Sequence, residues 1–114
     1  MQAFEQNRKM LLLRESLPEF SAELERLLVQ CGHHNLAEQI STIAIVDRCR
    51  CGDDFCGTFY AAPKPEGSYG SGHENIVLEP DKGTVILDVV NGRIKCVEVL
   101  YRDEIRCRLQ ELLP

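Results

Sequence analysis

Positive charge is in deficit: 13 Lys and Arg stand against 18 Asp and Glu, for a formal net charge of −5 and an isoelectric point near 5.2. A phosphate-backbone binder works by displacing counterions with clustered cations, so general nucleic-acid binding is not expected. Arg48, Arg50, Arg102, Arg106 and Arg108 are interleaved with acids or cysteines and read as solvated faces. Long apolar runs are missing too. Met10-Leu11-Leu12-Leu13 stops at Arg14-Glu15, short of the roughly 7–15 apolar residues of a secretory signal. No stretch approaches the roughly 18 apolar residues of a membrane span. The expectation is a soluble, cytoplasmic protein whose cysteines are reduced.

Catalytic signatures are lacking as well. No GxSxG, HExxH or paired-carboxylate spacing occurs, and no enzyme is assigned. The glycines of the 63–72 segment, PKPEGSYGSG, are followed by neither GK[ST] nor a helix, which removes a phosphate-cradling loop. Tryptophan is absent and aromatics make up 6%, yet 44% hydrophobic and 27% charged residues are ordinary for a globular protein. The 114 residues fit one domain, enough to bury a core without staples.

The periodicity predicts an α+β domain: N-terminal helices over 1–40, a five-stranded antiparallel β-meander over 42–101 with a mobile loop at 63–72, and a helix over 103–112. A first helix is expected over 3–16. Ser16-Leu17-Pro18-Glu19 reads as a capping box that starts a second, with Phe20, Leu24, Leu27, Leu28 and Cys31 on one stripe and Gly32 as its stop. Asn91-Gly92 between two β-branched runs is a strong hairpin signal and pairs Val90 with Arg93, hence Asp88 with Lys95 and Leu87 with Cys96. One face then carries Val85, Leu87, Val89, Ile94, Cys96 and Leu100, with Glu98 its lone charge. The other carries Asp88, Arg93 and Lys95 with Ile86, Val97, Val99 and Tyr101.

What the chain has in quantity is cysteine, six in all, three of them in Cys49-Arg50-Cys51-Gly52-Asp53-Asp54-Phe55-Cys56. Alternation along a strand puts Cys49 and Cys51 on one face, and a four-residue turn would pair Cys51 with Cys56 there. Three converging thiols suit a tetrahedral Zn²⁺, which needs a fourth ligand. His73 is the first choice, with Cys31, His33 or His34 as alternatives. The paired CxxC knuckles of the strong zinc pattern are absent, so reduced packing thiols and a redox pair stay open beside the metal. Cys31, Cys96 and Cys107 sit in regular apolar patterns and read as packing residues. Alternation sends Arg48 and Arg50 away from the sulfurs, which weakens the case for an activated thiolate.

The stretch Gly83 to Leu100, GTVILDVVNGRIKCVEVL, resembles the GVILD…GRIVGIEIL hairpin of a family of small bacterial proteins of unknown function. The resemblance implies a small antiparallel sheet and carries over no catalytic residue. The leading functional expectation is a non-enzymatic module that binds a protein partner, through the face of Ile86, Val97, Val99 and Tyr101 if helices leave it uncovered. The alternative is a zinc-binding protein or thiol redox sensor built on Cys49, Cys51 and Cys56.

Overall fold

The structure, a computed structural model, describes residues 10–114. Four helices and five strands follow one another: α1 (Leu13–Ser16), α2 (Pro18–Gln30), α3 (His34–Ile40), β1 (Asp47–Arg48), β2 (Phe59–Tyr60), β3 (His73–Leu78), β4 (Thr84–Val90), β5 (Arg93–Leu100) and α4 (Asp103–Leu112). This is the expected α+β class, with helices before and after an antiparallel sheet.

Residues 3–9 of the helix expected at 3–16 lie outside the described residues, and from residue 10 to 16 only the turn of α1 is helical. Leu12 instead forms a bridge with Ala44. Ser16 does not cap α2. It belongs to α1, and Leu17 occupies the cap position without a side-chain bond, while Pro18 takes the first helical position as predicted. At the other end Gly32, at φ +84°, lets its own N–H reach Val29 O at 3.0 Å and that of His33 reach Leu28 O at 2.8 Å. Two orphan carbonyls are thereby satisfied as the chain reverses into α3. Phe20, Leu24, Leu27 and Leu28 are buried, whereas Cys31, beyond the stripe, is exposed.

The sheet order is β1-β2-β5-β4-β3, all antiparallel. It departs from a simple meander at one connection. The first hairpin pairs with β5, and the 61–72 segment crosses to place β3 on the far edge. Asn91 and Gly92 both take positive φ, 50° and 81°, as a tight two-residue hairpin turn requires. Gln39 of α3 clamps that turn, its Nε2 donating to Gly92 O at 2.6 Å and its Oε1 accepting from Ile94 N at 2.9 Å.

The predicted hairpin register holds for Val90–Arg93 and Val89–Ile94 and fails at the next pair. Val89 pairs with Ile94, and then a bulge at Lys95 shifts the ladder so that Asp88 faces Cys96 and Leu87 faces Val97. One extra residue flips every later side chain. Val97 and Val99 are completely buried in the core with Val85, Leu87 and Val89. Cys96, Glu98 and Leu100 instead share the opposite face with Asp88 and Ile86. The contact surface expected from Ile86, Val97, Val99 and Tyr101 therefore does not exist as a face.

Tyr101, at φ +63°, turns the chain out of β5 and drops Arg102 inward. Arg102 is 7% exposed and grips Glu23 of α2 with two bonds, Nη2 to Oε1 at 2.7 Å and Nη1 to Oε2 at 3.0 Å, while its Nε donates to Glu104 at 2.8 Å. Its guanidinium lies 5.5 Å from the Phe20 ring centre. Gly83 makes room, since a Cβ there would fall 2.6 Å from Leu100 O and 2.9 Å from the Arg102 side chain. Removing one partner of a buried pair leaves the other charge unpaired. Arg102→Met should lower unfolding free energy by about 3 kcal/mol in denaturant titration, and Arg102→Lys should recover under half of it, because an ammonium cannot form the two-pronged contact.

Candidate metal centre

Where β1 ends, pairing continues for one residue: Cys49 N–H donates to Thr58 O at 2.9 Å. Gly52, at φ +85°, then turns the chain, and Cys56 N–H closes the turn on Asp53 O at 3.3 Å. Cys56 itself bridges Leu100 of β5. The strands expected to run to Cys51 and from Cys56 are thus shorter than predicted, but the segment follows the same line. The Sγ atoms of Cys49, Cys51 and Cys56 all lie within 4.8 Å of one another, with Cys49 and Cys56 half-buried and Cys51 exposed. Three of the four residues expected at a metal come together.

The intervening arginines do turn to other work. Arg48 Nε donates to Leu113 O at 2.5 Å, and Arg50 reaches Pro114 O at 3.1 Å and Asp47 Oδ1 at 3.0 Å. The thiols shape one another. Burial opposes ionisation of Cys56, but the Thr58 hydroxyl and N–H, with the Cys51 and Cys49 thiols, hydrogen-bond it and hold its pKa below the ordinary value. The Asp53 N–H favours a Cys51 thiolate, yet burial and the two neighbouring sulfurs push that thiol up to about 11. The cluster favours one negative charge, on Cys56, over a second, on Cys51, as expected for sulfurs this close. A divalent cation relieves that repulsion directly. All six cysteines are free thiols; Cys96 is buried as expected of a packing residue, while Cys107 and Cys31 are exposed.

The cluster opens on a cavity of about 130 Å³ lined also by Asp53, Asp54, Thr58, Arg106 and Gln110. Arg106 reaches it from α4, and Gly57 lets the helix approach: a Cβ at Gly57 would sit 3.3 Å from Arg106 N. Arg106 Nε is buried without a hydrogen-bond partner. Sequence reading placed Arg106 on a solvated face, and no local pattern marks it, because its position depends on how α4 packs beside the hairpin.

His73 is not part of the group. It opens β3, with its Nε2 2.8 Å from Asp88 Oδ1 and its ring 4.9 Å from that of Tyr69. Cys31, His33 and His34, at the α2–α3 junction, do not join the thiols either. His73 instead helps hold a carboxylate pair that sequence reading missed. Asp88, 5% exposed, accepts from His73 and from Asn75 Nδ2 at 2.7 Å, and Glu98 meets it on the face created by the Lys95 bulge. The 63–72 loop lies over them, and Tyr60, Lys64, Tyr69, Asp88, Cys96 and Glu98 line a cavity of about 340 Å³ that shares Cys49 and Thr58 with the thiol site.

The pair divides one proton. The hydrogen bond to Asp88, then burial and the Asp88 charge, push Glu98 up to about 7, with His73 opposing. Burial would raise Asp88, but bonds from Glu98, His73 and Asn75 outweigh it and hold Asp88 below its ordinary value. Folding therefore raises the affinity of Glu98 for its proton, and the stability this contributes is present below pH 4.5 and lost as pH rises through about 7. Glu98→Gln, which mimics the protonated form, should be more stable than the native protein at pH 8 by about 1 kcal/mol, a figure reduced for partial solvent access. The difference should narrow steadily as pH falls from 8 to 5 in the same urea titration. A difference that is constant across that range would remove the shared proton.

No helix among the described residues is long and apolar enough to cross a membrane. Comparison with known proteins finds no matching family model, no matching curated protein and no matching solved structure.

Proposed function

We propose that this chain is a zinc-binding protein whose Cys49, Cys51 and Cys56 thiolates hold the ion. The observation that carries this reading is the convergence of the three Sγ atoms within 4.8 Å. A tetrahedral zinc with Zn–S bonds of about 2.3 Å sets its sulfurs about 3.8 Å apart. Small adjustments about the Gly52 turn would bring the cluster to that spacing. Thiolate ligands favour zinc over magnesium or calcium, which take oxygen. The charge resistance within the cluster gives metal uptake a clear pH dependence, since the thiols release protons as the ion binds.

Metal titration of the full chain under reducing conditions should give one Zn²⁺ per chain, with affinity rising from pH 6 to pH 8. Cys51→Ser should weaken it by at least about 100-fold, by loss of one of three ligands. Cys31→Ser, Cys107→Ser and His73→Ala should leave it unchanged. No stoichiometric uptake, with added Zn²⁺ leaving the alkylation rates of Cys49, Cys51 and Cys56 unchanged, would overturn the reading.

A second reading, a protein-binding module, draws on the exposed ring pair beside this turn. Phe55 and Tyr101 stack at 5.2 Å, and Tyr101 is 64% exposed. It is the one member of the surface anticipated from sequence that stands in solvent. Partner binding unchanged in Tyr101→Ala would sink it.

A further inference from the structure

We propose that the metal centre takes a small carboxylate ligand from solution, one carboxylate oxygen on the ion and the other on Arg106. This rests on the zinc reading and deepens it. Two observations meet at one cavity. First, the described residues supply three donors: no fourth His, Cys, Asp or Glu among them joins the thiols. Structural zinc sites close with four protein ligands, while sites that bind exchangeable groups keep three and an outside donor.

Second, Arg106 carries a buried Nε with no acceptor, and it lines the same cavity as the sulfurs. Its other end is only loosely engaged, Nη2 lying 3.7 Å from Asp103. A buried guanidinium N–H without a partner is costly, and native proteins rarely leave one so. Arginine matches carboxylate in geometry and charge. A carboxylate placed between the ion and Arg106 completes the coordination and satisfies that nitrogen at once. The cavity, about 130 Å³, admits several waters or a small organic anion. Asp53 and Asp54, exposed at its lip, disfavour ligands with more than one negative charge.

The test uses the full chain loaded with Co²⁺, whose thiolate charge-transfer and ligand-field bands report the coordination sphere. Acetate is the probe and acetamide its neutral control. The expected result is a saturable change in the ligand-field bands with acetate, at least tenfold weaker with acetamide. In Arg106→Gln, Co²⁺ uptake should persist and the acetate response should weaken at least tenfold. Arg106→Lys, which keeps the charge but loses the Nε donor, should fall between the two. Normal Co²⁺ uptake with spectra indifferent to acetate would overturn the ligand proposal, as would an unchanged acetate response in Arg106→Gln. Absence of any cobalt–thiolate band would overturn the metal reading itself, so the two failures are told apart.

Discussion

The extra residue in β5 governs what each face of the sheet can be. Before Lys95 the hairpin runs in the register its Asn-Gly turn dictates; after it, Val97 and Val99 point into the helical layer and Cys96 and Glu98 point away. Because β2 pairs with β5 at Phe59–Val97 and Tyr60–Cys96, the same slip also sets which side the first hairpin presents. Phe59 is driven into the core, edge-on to Phe20 at 6.3 Å, and Tyr60 joins the carboxylate face. Without the bulge, Glu98 would be the lone charge among apolar residues against the helices, an arrangement that desolvation forbids. The bulge is thus the price of fitting a polar face and an apolar face onto one strand.

Elements with strong local signals were legible. The stripe on α2, its glycine stop and the Asn-Gly hairpin each rest on interactions within a few residues, and each is where periodicity and turn chemistry put it. The three thiols were legible for the same reason, since strand alternation and a short turn confine them. What was hidden depends on contacts distant in sequence. Lys95 carries no mark of a bulge, and only the mismatch of Glu98 on an otherwise apolar face hinted at it. Ser16 looked like a helix cap until Leu12 was drawn back to Ala44, winding the preceding turn. His73 looked available to a metal because spacing says nothing of the sheet order that gives it to Asp88 instead.

Two polar sites flank one corner of the sheet, and they share a wall. Cys49 and Thr58 border both the thiol cavity and the carboxylate cavity. Thr58 has a further bond, its Oγ1 accepting from Val99 N at 3.0 Å, so that a hydroxyl stands in for a backbone partner where β2 has frayed. With Gly57 N–H donating to Val99 O at 2.8 Å and Tyr101 N–H to Phe55 O at 2.8 Å, that bond ties the Cys56 segment to β5 beyond the two residues of β2. The geometry of the sulfurs is therefore inherited from the sheet and not from the turn alone.

Whether a bound ion would organise the fold, or the fold the ion, follows from where the apolar mass lies. The core joins Leu13, Leu24, Leu28 and Ile40 of the helices with Val85, Leu87, Val97 and Val99 of the sheet, and Ile105 and Leu109 of α4 close it. None of the three clustered cysteines belongs to it. The Arg102–Glu23 pair ties the start of α4 to α2 independently of the thiols. A site whose ligands lie outside the core contributes by binding linkage and not by nucleating structure. Small zinc fingers, by contrast, have little else to bury and unfold without metal. A metal held by these thiols, outside that core, would be free to exchange ligands without unfolding the chain, as the proposed site beside Arg106 requires.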